Sequence, residues 1–204
     1  MDTSLNKENF AEQHIPEMTI GHAVLVTLMH RYLSAMMDPT ITLLELQKLM
    51  YFMQETGEPL NLHFKKALYG PYAENLIHAL KYIEGHYICG YLYSEDGPNK
   101  PLELKPNAIQ KAELCLKNHP ATNERLERVT QLIQGFETPY GMELLSTVYW
   151  IAKDKNVLDV EQVVNEFHNW NEHKRMFNSE HIMVALETLR TKHWIKPVLC
   201  SSCA

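Results

Sequence analysis

Glycine is scarce, with 8 among 204 residues, and neither GxGxxG nor GxxxxGK[ST] occurs. The backbone cradles that hold nucleotide phosphates in those families therefore have no counterpart here. A GxSxG nucleophile elbow, an HExxH helix and a cysteine in a recognisable catalytic setting are absent as well. These absences turn the expectation away from an enzyme, and no catalytic residue or cofactor is assigned. Long apolar runs are lacking too. The longest, Ala23-Val-Leu-Val-Thr-Leu-Met29, is far short of the roughly 20 residues a membrane span requires. No basic segment followed by an apolar one opens the chain, so a cytoplasmic protein without membrane contact is expected. Cysteine is limited to Cys89, Cys115, Cys200 and Cys203, without the spacing of a disulfide framework, which suits reduced thiols.

Charge of one sign is also in short supply. Nineteen Lys and Arg against 25 Asp and Glu leave a formal charge of −6, which repels polyphosphate at long range and argues against direct nucleic-acid binding. Eleven histidines invite a metal reading. His168 and His173 are five apart with no second pair at matching spacing, however, and Cys200-Ser-Ser-Cys203 stands alone at the C-terminus, so no metal site is assigned. The basic clusters Lys65-Lys66, Lys153 with Lys155, and Lys174-Arg175 are read as solvated surface.

What is present is helical periodicity. Residues 1–16 are polar and aperiodic, the pattern of a tail or interdomain linker, and residues 17–204 read as one domain whose last eight or so residues fray. Gly21 to Met37 is apolar almost all round, which predicts a central helix buried on most faces. Thr42 followed by Glu45 forms a capping box for a second helix that Gly57 and Pro59 stop. Leu60 to Phe64 alternates like a short strand, Tyr69-Gly70-Pro71 turns the chain, and a helix is expected from about Tyr72 to Glu84. Tyr87-Ile-Cys89 and Pro101-Leu-Glu-Leu104, separated by a turn at Ser94 to Asn99, read as the wing of a winged-helix unit. Helices then follow from Pro106, Pro120, Thr138-Pro139, Val160 and Ser179. The expected fold is mainly α, a multi-helix domain with a small winged-helix-like β-hairpin.

One further pattern is specific. Leu43-Leu-Glu-Leu-Gln-Lys-Leu-Met-Tyr-Phe-Met-Gln, then Tyr69-Gly-Pro-Tyr72, Glu84-Gly-His86, Gly135 to Val148 and Lys174-Arg-Met-Phe177 resemble the C-terminal domain of DarG antitoxins. The LQKLxYFxQ and YGP elements alone extend the likeness, more loosely, to SocA-like (Panacea) antitoxin domains. The resemblance covers nearly all of residues 17–195. It implies a non-enzymatic module that sequesters a DarT-type ADP-ribosyltransferase toxin by direct binding, with the acidic balance suited to imitating single-stranded DNA. The hydrolase macrodomain of such antitoxins has no counterpart in these 204 residues, so its activity is not carried over. Leu46, Leu49, Tyr51 and Phe52 read as core. Gln47, Lys48 and Gln54 are placed to order their neighbours or to face the partner. Charge and aromatic placement single out Tyr69, Tyr72, Glu74, Glu84, His86, Glu95 and Asp96 as partner-binding residues. The alternative is a winged-helix DNA-binding regulator.

Overall fold

The computed structural model describes residues 16–92, 97, 99–154 and 159–195. Helix α1, Ile20–Met36, starts at Thr19, whose side chain accepts from the His22 amide. Val24, Leu25, Val26, Leu28 and Met29 are all buried, as a helix apolar on every side requires. A short strand β1, Ile41–Thr42, leads into α2, Leu43–Glu55, where the capping box forms as the spacing predicts: the Glu45 amide donates to Thr42 Oγ1, and Thr42 N donates back to the Glu45 carboxylate. Every residue from Leu43 to Met53 is buried. α2 is therefore the axis of the fold, in contact with α1 and β1 and with elements further along the chain.

After α2 come strands β2, Phe64–Ala67, and β3, Gly70–Ala73, an antiparallel hairpin closed by Leu68 and Tyr69. Next are α3, Leu76–Ile83, then β4, Ile88–Cys89, and β5, Pro101–Leu104. β5 lies between β1 and β4. The run helix, strand, helix, helix, strand, strand with that sheet order is a winged-helix unit, into which the β2–β3 hairpin is inserted between the second and third helices. The second half adds α4 (Ala108–Leu116), α5 (Pro120–Ile133), α6 (Pro139–Asp154), α7 (Val160–His168), a 3-10 turn at His173–Met176, and α8 (Ser179–Thr191). The mainly α architecture with small antiparallel strands is as expected. α4 and α5 pack on α1, while α6 lies against α2, α7, α8 and β3. No described helix is long and apolar enough to cross a membrane.

Two local expectations need correction. Leu60 to His63 form no strand, because Gln54 holds Leu62 from both sides, accepting from its amide at 2.7 Å and donating to its carbonyl at 2.9 Å; Asn61 has a φ of +55°. The strand begins only at Phe64. The helix expected from Tyr72 starts at Leu76 instead. Ala73 N and O are both engaged by the Gln47 side-chain amide, each at 3.0 Å, so those backbone groups are spent on a sheet-like contact and cannot open a helix.

Candidate functional site

The β2–β3 hairpin sits where the winged-helix unit meets the later helices, and polar side chains hold its backbone from both sides. From α2, Gln47 grips Ala73 and Lys48 donates to Pro71 O at 2.7 Å. From beyond α7, Trp170 Nε1 donates to Ala67 O at 2.8 Å and Asn171 Nδ2 to Leu68 O at 2.9 Å. Gln47, Lys48 and Gln54 thus order their neighbours. Gly70 has a φ of +94°, and a β-carbon there would lie 2.7 Å from Thr147 Oγ1. Only glycine fits this point, where the hairpin presses on α6.

Under the hairpin lies a cluster that the sequence reading missed. Lys174, taken there as surface, is fully buried. Its Nζ donates to Glu143 Oε1 at 2.6 Å and to Thr147 Oγ1 at 2.9 Å, with the rings of Phe167 and Phe177 each 5.2 Å away. Lys48 is also buried. Burial first, and then the charge of Lys174, press its amine down to about 7, against a smaller opposing pull from Glu143. Burial presses Lys174 down to about 8, with Glu143 opposing. Two buried ammonium groups thus share one carboxylate. His173 Nε2 lies 3.0 Å from the same Glu143 Oε1, its side chain 30% exposed, and Tyr69 stands edge-on to its ring at 5.0 Å. An imidazole backed by a buried carboxylate and partly open to solvent can take up or give a proton. The spacing of His168 and His173 concealed this, because His168 Nε2 goes instead to Phe177 O at 2.9 Å. Among the described residues no three His, Cys, Asp or Glu side chains come together as a metal site.

Above the cluster a groove of about 580 Å³ runs between α2, the hairpin turn and α3. Tyr69, Tyr72 and Glu74 all line it, so three of the seven residues singled out from the sequence are brought together. Glu74 is ion-paired with Lys65 at 2.5 Å. Glu84 is buried and turned inward, accepting from the amides of Gly90 at 3.0 Å and Tyr91 at 3.3 Å. His86 lies beyond the C-terminal end of α3. Glu95 and Asp96 fall outside the described residues. Among the described residues that line the groove, the cations are Lys48 and Lys81, and the carboxylate is Glu74, which has a lysine partner.

No model of a known protein family matches the chain. A curated relative from Thermus aquaticus, named DNA ADP-ribosyl glycohydrolase, is 38% identical over 182 residues, covering 89% of this chain and 49% of its own length. Proteins of the same name from Mycobacterium bovis and Mycobacterium tuberculosis are each 33% identical over 188 residues, covering 84% of this chain and 53% of theirs. The chain spans about half the length of the curated relatives it matches. These names overturn the expectation of a non-enzymatic, toxin-sequestering DarG C-terminal domain that imitates DNA before a DarT-type toxin, because the relatives bear the name of an enzyme. They give the winged-helix regulator no support either. The expectation rested mainly on the resemblance carried by the LQKLxYFxQ, YGPY and EGH elements, with the missing motifs as secondary support.

Proposed function

We propose that this chain is part of a DNA ADP-ribosyl glycohydrolase and acts in releasing ADP-ribose from DNA. The observation that carries the proposal is the 38% identity, over 89% of the chain, to a protein of that name. Cleaving a glycosidic bond requires a proton for the leaving group or its removal from the attacking water. His173, with Glu143 Oε1 3.0 Å from its Nε2, is the group to which this reading gives that transfer. The adjoining groove, with Tyr69, Tyr72 and Glu74 on its walls, is where the modified strand would lie. Residues 17–204 are the working unit, and a cytoplasmic location, where DNA is within reach, goes with the function.

The test is direct. A single-stranded oligonucleotide carrying ADP-ribose is incubated with the purified chain, and free ADP-ribose is followed by chromatography. Release with turnover, lowered at least tenfold in His173→Ala, is the expected result. A folded chain that releases none would place the hydrolysis in the other half of the relatives' length and overturn the proposal for these residues.

A further inference from the structure

His173 meets its carboxylate through one ring nitrogen only. Nε2 lies 3.0 Å from Glu143 Oε1, whereas Nδ1 has no hydrogen-bond partner among the described residues. The same Oε1 accepts from Lys174 Nζ at 2.6 Å. Lys174 is itself fixed in place. Its side chain is fully buried, its second bond goes to Thr147 Oγ1 at 2.9 Å, and the Thr147 hydroxyl donates in turn to Glu143 O at 2.7 Å. Two rings brace the imidazole, with Tyr69 edge-on at 5.0 Å and Phe177 edge-on at 5.9 Å.

Elementary hydrogen-bond chemistry decides where the ring keeps its proton. An ammonium only donates, and a carboxylate paired with one only accepts. At 3.0 Å from Oε1, Nε2 must therefore carry a hydrogen, because two lone pairs would otherwise face each other. A neutral imidazole has a single N–H, so the lone pair is on Nδ1. We propose that Lys174 and Glu143 act together as positioning residues, which lock neutral His173 as the Nε2–H tautomer and leave Nδ1 as the nitrogen that exchanges a proton. Lys174 contributes by demanding the oxygen of residue 143, so that this oxygen stays turned to the ring. The imidazolium formed when Nδ1 takes up a proton keeps its Nε2–H on Glu143 and gives back the Nδ1 proton. The inference deepens the function proposed above and rests on it for the group with which the proton is exchanged. Which nitrogen exchanges it follows from the geometry of the three residues.

Nitrogen-15 NMR of the imidazole reads the tautomer directly, with the His173 signals assigned by their loss in His173→Gln. In the neutral ring of the wild type, a protonated Nε2 and an unprotonated Nδ1 are expected. The opposite tautomer, or an even mixture, would overturn the inference without recourse to any variant. Two variants then isolate the positioning pair. In Glu143→Gln the ammonium still demands the amide oxygen, so the Nε2–H tautomer should persist, and its loss there would remove Lys174 from the pair. In Lys174→Met with Glu143→Gln the amide can turn its NH2 toward Nε2, and the tautomer ratio should fall at least tenfold, toward an equal mixture. A double variant that keeps the wild-type tautomer would overturn the inference. If the single variant does not fold, the double variant set against wild type decides, since it removes both buried charges together. ADP-ribose release, measured on the same proteins, should fall at least tenfold in the double variant. Undiminished release from a double variant that has lost the tautomer would remove Nδ1 as the working nitrogen, whereas a wild type with the expected tautomer and no release would remove only the hydrolysis.

Discussion

Lys174 Nζ lies 2.6 Å from Glu143 Oε1, and both side chains are sealed between α6 and the 3-10 turn, at 0% and 6% exposure. At that depth neither charge can be left without the other. Removing one partner of a buried pair costs about 3–5 kcal/mol, whereas replacing both by apolar groups of similar size is often nearly neutral. Lys174→Met should therefore destabilise the fold by that amount in urea unfolding, and Lys174→Met with Glu143→Leu should recover most of the loss. Additive losses in the double variant would show that the two residues act independently.

The neighbouring Lys48 makes stability depend on pH. Its amine titrates at about 7 when folded against an ordinary value of 10.5, so between these limits the unfolded chain holds more protons and stability rises with pH. Below about pH 7 the amine is charged in both states and the full cost of burying it is felt. Lys174, lowered to about 8, acts in the same direction in both wild type and variant. The stability advantage of Lys48→Met over wild type should consequently shrink from pH 7 to pH 10, with a slope no steeper than about 1.4 kcal/mol per pH unit. A difference that stays flat over this interval would refute a depressed Lys48.

Gln47 substitutes a side-chain amide for a neighbouring strand, giving and taking one hydrogen bond at Ala73, each 3.0 Å long. Gln47→Leu keeps the volume but strands a buried N–H and a buried carbonyl, each worth about 1–3 kcal/mol. Amide hydrogen exchange at Ala73 should accelerate along with the fall in stability. Exchange at the wild-type rate would mean that the hairpin is held by other contacts.

Gly70 combines a φ of +94° with a β-carbon position only 2.7 Å from Thr147 Oγ1. Gly70→Ala should cost on the order of 2–3 kcal/mol from backbone strain and collision. Adding Thr147→Ser would test the collision: removal of the methyl lets the hydroxyl turn away, and part of the loss should return. No recovery would assign the whole cost to the backbone.

Much of the fold was legible because it is written locally. The Thr42–Glu45 box and Pro120 at the head of α5 concern residues within a turn of each other, and most helices follow from their own period. The site was legible in part. Tyr69, Tyr72 and Glu74 stand close together in sequence and also meet in the groove, whereas Glu84, equally acidic on paper, is spent on the Gly90 and Tyr91 amides. The nearest signal for the buried cluster was Lys174-Arg-Met-Phe177 following the Gly135 to Val148 motif. It did not say that Lys174 points inward.

The sequence by itself determined a helical domain, the order of its main helices and the lack of an apolar run long enough to span a membrane, since period, caps and run length act over a few residues. Only the tertiary structure decided the meaning of its charges. Lys174, 126 positions along the chain from Lys48, helps to push the proton off that amine, because α2 and the 3-10 turn both pack against α6. Whether a lysine is solvated or sealed in with half a carboxylate depends on which elements cover it. That is a property of packing between distant segments, and no local pattern records it.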